Sequence, residues 1–183
     1  MNTLYKNALS DLERVFDKLN DDGVDAAVET IAKADRIALY GVGREGLQIK
    51  GFCMRLFHLG LKAAMVGDMT TPPIGKGDLL VVSAGPGSFS TVEALMGVAR
   101  EAGAQTLLIT AQPEGVCGQA ADVVLHLPAQ TMHSDQGPDI SVLPMGSVYE
   151  GAQFVLFEVM ILKLRDRLGI TPEAMRANHT NLE

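Results

Sequence analysis

Between Ser83 and Thr91 the chain reads S-A-G-P-G-S-F-S-T, setting the hydroxyls of Ser83, Ser88, Ser90 and Thr91 around Gly85 and Gly87. Glycine lets backbone approach a ligand closely, and hydroxyls beside the free amides of a helix start suit a small anion. Leu79 to Val82 just before it is an unbroken apolar run, the pattern of a strand buried on both faces. Val92, Leu95, Met96, Val98 and Ala99 just after it recur at helical spacing. A buried strand therefore ends in a loop that opens a helix. A plainer role for the same residues is a capping box, since Ser90 and Glu93 have its spacing.

A second loop repeats this logic. Gly41, Gly43 and Gly46 surround Arg44 and Glu45, between an apolar run at Arg36–Tyr40 and a helical pattern at Leu47–Leu59 with Phe52, Leu56 and Leu59 inward. The order G-V-G-R-E-G does not fit the dinucleotide fingerprint, whose third glycine comes later. Asp68 does lie near the end of the following strand, where a ribose-binding acid would stand, so a nucleotide remains a competing ligand. Arg44 is the cation nearest this loop and a candidate phosphate partner, with plain surface exposure as the alternative.

These loops need elements to hold them. Leu4, Ala8, Leu12, Val15, Phe16 and Leu19 share one stripe and predict an amphipathic helix from Thr3 to about Asn20, broken at Gly23. A second helix is expected over Val24–Lys33. Strands are expected at Arg36–Tyr40, Lys62–Val66, Leu79–Val82, Gln105–Thr110 and Asp122–Leu127, with a short helix at Glu114–Ala121. Strands alternating with helices give a parallel sheet with right-handed crossovers. In a doubly wound sheet of five such strands the order reverses between the first and third, which brings both glycine loops to one crevice.

From Ala129 to Pro144 the chain is polar and interrupted, a loop long enough to suggest a lid or a subunit contact. Ser147–Leu168 is the longest helix pattern, with Val148, Ala152, Val155, Leu156, Val159, Met160, Leu162 and Leu164 leaving few polar positions on its first turns. A helix apolar nearly all round needs a second covered face, which in a small domain points to a homo-oligomer. Thr171-Pro172 starts a short last helix running to about Asn178.

The 183 residues, 47% of them hydrophobic, can bury one good core, so one domain is expected over 1–183: helices to 34, the sheet core over 35–128, helices and tail over 145–183. With 22 acidic against 15 basic residues the net charge is −7, and no basic run is interleaved with aromatics, which argues against nucleic acid. Any anion must then be held by local geometry. Cys53 and Cys117 have neither metal-ligand spacing nor the density of a secreted disulfide scaffold, so they read as buried thiols. The first residues lack a signal-peptide core and no apolar run nears the ~18 residues of a membrane span. A cytoplasmic protein with a small-molecule ligand is expected.

The combination of YGVGREG, the helix MRLFHLG, the turn TPPIGKGDLL, the stretch LPMGSVYEG and the terminal NHTNLE resembles the 6-phospho-3-hexuloisomerases, a branch of the sugar isomerase (SIS) fold, along the whole chain. The resemblance implies an α/β fold, a three-layer α/β/α sandwich around a five-stranded flavodoxin-like parallel sheet. It further implies a homotetramer, no metal or organic cofactor, and interconversion of 3-hexulose 6-phosphate and fructose 6-phosphate through an enediol. That reaction needs a base between two carbons, a second group exchanging protons with the oxygens, and a grip on phosphate. On this resemblance Glu150 is the base, though Ser147 and Glu150 also have capping-box spacing. His179 matches the family's terminal His and is the candidate for proton exchange at oxygen, in its own subunit or a neighbour's, with simple solvation as the alternative. Gly43, Arg44, Ser83, Gly87, Ser88, Ser90 and Thr91 are the candidate substrate contacts. His58, His126 and His133 are weaker candidates. A different sugar substrate, or a non-catalytic phosphosugar sensor, is the alternative reading.

The chain departs from the family at the phosphate grip. Three hydroxyl positions of the usual S-G-S-G-E-T loop fall at Ala84, Pro86 and Phe89, and Pro86 also lacks an amide donor. Glu45 replaces a serine; a carboxylate ~5 Å from a phosphate costs roughly 3 kcal/mol per charge pair at an effective dielectric near 20. Glu45 must turn away, be neutralised by Arg44, or meet a different ligand.

Overall fold

Strand β3 (Leu79–Ser83) is buried at every position, as its unbroken apolar run requires. In the computed structural model, which describes residues 2–137 and 140–182, it is the middle of a five-stranded parallel sheet ordered β2-β1-β3-β4-β5. The other strands are β1 (Ile37–Gly41), β2 (Ala63–Met65), β4 (Gln105–Thr110) and β5 (Val123–His126). Pro138 and Asp139, within the polar loop, and the terminal Met1 and Glu183 lie outside the described residues.

The two-residue period of the strands divides the core into two layers. Ile37, Leu39, Leu79, Val81, Leu107 and Ile109 point to one face, where α2 (Asp21–Lys33), α3 (Gly43–His58) and α6 (Ser147–Leu168) bury Ile31, Phe52, Leu56, Leu156 and Met160. Ala38, Leu80, Val82 and Leu108 point to the other, against Val92, Met96 and Ala99 of α4 (Ser90–Glu101) and Cys117 of α5 (Val116–Ala120). The result is the three-layer α/β/α sandwich expected, and the order reverses between β1 and β3. Burying Val92 and Met96 fully contributes on the order of 1.5–3 kcal/mol each, which fixes α4 and hence the turn that starts it.

Several boundaries differ from the sequence expectation, each for a local reason. Helix α1 (Thr3–Phe16) ends before Asn20, and Gly23 does not break it. Asn20 caps α2 instead, its side chain accepting from the Asp22 amide, with Asp21 and Asp22 favourably placed in the first turn. Gly43–Gly46 is the first turn of α3 rather than a loop before it. Neither expected capping box forms. Phe89 is the N-cap of α4, and it is Ser88 that hydrogen-bonds Glu93. Gly146, in the left-handed region at φ 70°, is the N-cap of α6, so Ser147 already belongs to the helix.

Helix α6 buries Val148, Ala152, Leu156, Met160 and Leu164 inward, whereas Phe154, Val155, Val159 and Leu162 are exposed on the chain's surface. The final helix is α7 (Pro172–Ala177), capped by Thr171.

Candidate active site

The β1–α3 and β3–α4 turns meet at the carboxyl ends of neighbouring strands, where Gly41 pairs with Ser83. The fit there leaves no room for side chains: a methyl group on Gly46 would lie 2.5 Å from the Gly41 carbonyl oxygen. A cavity of about 410 Å³ opens at this point. Gly43, Arg44 and Glu45 line it from α3, Pro86 and Phe89 from the β3–α4 turn, Thr131, Met132 and His133 from the long loop, and Tyr149 and Glu150 from α6. A larger groove of about 570 Å³ lies by Arg36 and Lys62, at the opposite ends of the strands, and none of the described residues lining it is a carboxylate.

Glu45 does not turn away from this cavity. It is 7% exposed, and its carboxylate accepts from the Ser83 hydroxyl and from the Gly85 amide at 3.0 Å. Ser83 in turn accepts from Gln153 Nε2 at 2.8 Å and lies 3.4 Å from the Tyr149 hydroxyl, which donates to the Ile109 carbonyl at 3.1 Å. Gly85 makes this possible, because a methyl there would come within 3.0 Å of both Tyr149 and Glu45. Burial pushes the Glu45 carboxyl above its usual range, with the Glu150 charge adding to the effect; the Ser83 and Gly85 bonds and Arg44 act the other way.

Glu150 stands across the cavity on the first turn of α6. Its side chain is 13% exposed, Oε1 is 3.4 Å from an Arg44 guanidinium nitrogen, and buried Oε2 has no hydrogen-bond partner among the described residues. Burial raises its pKa and Arg44 opposes the rise. Arg44 is held in place by the Ser147 hydroxyl at 3.0 Å and the Met145 carbonyl. The cavity thus sets two carboxyls of raised proton affinity against one cation, an arrangement suited to moving protons at a small polar ligand.

The remaining candidates divide. Gly43 and Arg44 line the cavity. Ser83 lies beneath it, fully buried. Gly87 is packed at φ 88° against Gln112 and Gly115, and Ser88, Ser90 and Thr91 occupy the exposed outer side of the turn. His179 is elsewhere in its own chain, its ring stacked on His58 at 5.1 Å in a separate groove that also holds Arg55, Arg165 and Arg176. Tyr149, Thr131 and Gln153 were not anticipated. The signal for Gln153 was a lone amide on the otherwise apolar inner stripe of α6.

A doubly wound parallel sheet with its cavity at the strand-order reversal is the SIS arrangement: the SIS domain model matches residues 30–152, and the chain belongs to that family. Within it, the chain is 33% identical to the 3-hexulose-6-phosphate isomerase of Methylomonas aminofaciens, over all of both chains. It is 30% identical to the Bacillus subtilis protein of the same name, over 96% of this chain and 95% of that one. A crystal structure from Methanococcus jannaschii, from which the function of 3-hexulose-6-phosphate isomerase was inferred, superposes with a TM-score of 0.81 at 27% identity, covering 98% and 97% of the two chains. No helix among the described residues is long and apolar enough to cross a membrane.

Proposed function

We propose that this protein is a sugar-phosphate isomerase that interconverts 3-hexulose 6-phosphate and fructose 6-phosphate. The observation that carries the reading is Glu150, a largely buried carboxylate in the cavity with one oxygen unpartnered among the described residues and one beside Arg44. In the forward direction Glu150 takes the proton from C2 of the 3-hexulose while O3 gains a proton, giving the 2,3-enediol. Glu150 then returns its proton at C3 as O2 loses one, leaving the C2 ketone. Atoms and electrons balance with protons alone, so the reaction calls for no redox cofactor.

Arg44 keeps Glu150 ionised enough to act as base despite its burial. The phosphate is bound on the outer side of the β3–α4 turn, by the first amides of α4 with Ser90 and Thr91, the Ser88 hydroxyl being held by Glu93. His179 serves a neighbouring subunit's cavity, exchanging protons at the sugar oxygens. This arrangement goes with a homotetramer, and the exposed Phe154, Val155, Val159 and Leu162 of α6 supply an apolar face for such contacts. A cytoplasmic location follows from the substrate, since phosphate esters do not cross membranes unaided.

Incubation of the protein with 3-hexulose 6-phosphate, followed by a coupled assay for fructose 6-phosphate, tests the reading. Turnover at catalytic enzyme concentrations is expected. No product at micromolar enzyme, together with no thermal stabilisation by fructose 6-phosphate, would refute it.

A further inference from the structure

The turn after a central parallel strand is where backbone amides and hydroxyls are ordinarily free to hold an anion. Here the inner half of that turn is already occupied. The Glu45 carboxylate takes the Gly85 amide, at 3.0 Å to Oε2 and 3.2 Å to Oε1, and takes the Ser83 hydroxyl as well. Ser83 has no spare reach, because Gln153 donates to it and Tyr149 crowds it. The cation beside this pair is committed elsewhere: Arg44 spends its guanidinium on Glu150, Ser147 and the Met145 carbonyl.

We infer that Glu45 determines substrate orientation, filling the inner anion seat of the β3–α4 turn so that a phosphate is held outside it and the uncharged end of the sugar points inward. Two effects act together. The donors that would bind phosphate oxygens are taken, and a carboxylate about 5 Å from a phosphate would weaken its binding roughly a hundredfold. A carboxylate in that place suits sugar hydroxyls, which donate to it. The inner end therefore accepts a polyol and rejects an anion, which places the carbons to be deprotonated on the side of Glu150. This rests on the sugar-phosphate reading above and adds the direction in which the substrate enters.

The test is binding of inorganic phosphate by calorimetry to the wild-type protein and to Glu45→Ser, which empties the seat and frees the Ser83 and Gly85 donors. Phosphate is expected to bind the variant at least about tenfold more tightly than the wild type. Equal or weaker binding by a folded variant would overturn the inference. Should Glu45→Ser fail to fold, Glu45→Gln, which keeps the shape and removes the charge, is expected to gain about threefold or more, and no gain overturns it. A crystal structure of the wild type with fructose 6-phosphate tests the same point independently: a phosphate oxygen bonded to the Gly85 amide contradicts the inference, and a sugar hydroxyl on Glu45 supports it. If the wild type converts no hexulose phosphate while the Ser variant gains phosphate binding, the isomerase reading fails and Glu45 stands only as the group that excludes an anion from the inner seat.

Discussion

The Arg44 guanidinium lies 3.4 Å from the Glu150 carboxylate, reaching from the first turn of α3 to the first turn of α6. Burial raises the Glu150 pKa, and this cation opposes the rise more than the backbone hydrogen bond at Glu150 does. Replacing Arg44 with Ala removes the larger of the two effects that oppose burial, leaving only a backbone hydrogen bond at Glu150, so the carboxyl holds its proton to higher pH. The acid limb of kcat/KM is then expected to move toward neutrality, with a greater loss at about pH 6 than at about pH 8. A pH profile with the wild-type limb would show that the pair does not tune the base.

Glu45 makes the converse prediction for stability. Burial holds its folded-state pKa above the ordinary 4.5, so the folded chain binds this proton more tightly than the unfolded one. The group's contribution is fully present below about pH 4.5 and is lost as pH rises through the folded value. Glu45→Gln is therefore expected to raise Tm at neutral and alkaline pH, with the gain fading in acid. Calorimetry across that range checks it, and a Gln variant less stable than wild type at about pH 8 would contradict it.

The long loop is fastened to the start of α6 through Gly146. A methyl group there would collide with the Met132 amide nitrogen and the Thr131 carbonyl carbon, at a φ of 70° that disfavours any side chain. Backbone on both sides leaves nothing flexible to yield. Gly146→Ala is expected to cost about 2 kcal/mol or more and to displace the cavity wall formed by Thr131 and Met132. Denaturant unfolding measures the cost, and a loss under about 0.5 kcal/mol would refute the packing described.

Much of this fold was legible because hydrophobic patterning reports burial directly. The apolar run at Leu79–Val82 became the central strand, and the alternation of strands and helices placed the order reversal beside both glycine turns. End effects were harder to read. Spacing of the S-x-x-E kind at Ser90 and at Ser147 looks the same whether the serine caps the helix or lies one residue inside it, and Phe89 and Gly146 took the cap positions. The direction of Glu45 was also illegible, since it depends on α3 starting at Gly43 and on the Gly41–Gly46 approach, a contact between elements. His179 shows the same limit: its motif gave its candidacy, and only the packing of α7 put its ring against His58.

The separation of His179 from the Glu150 cavity within one chain leads to a mixing experiment. Glu150→Gln and His179→Ala variants, each impaired alone, are expected to recover up to about a quarter of wild-type activity when mixed under conditions that allow subunit exchange, because on the proposed assembly some mixed interfaces then carry both native groups. No recovery after verified exchange would mean that His179 does not serve a neighbour's cavity.

The most direct test of the central claim follows hydrogen at carbon. Fructose 6-phosphate held with the protein in deuterium oxide is expected to exchange its C3 hydrogen, observed by NMR, as Glu150 removes it and returns solvent deuterium. Glu150→Gln is expected to slow that exchange about 10²–10⁴-fold with folding retained. Absence of C3 exchange with the wild type, or undiminished exchange with the Gln variant, would contradict the assignment of Glu150 as the base.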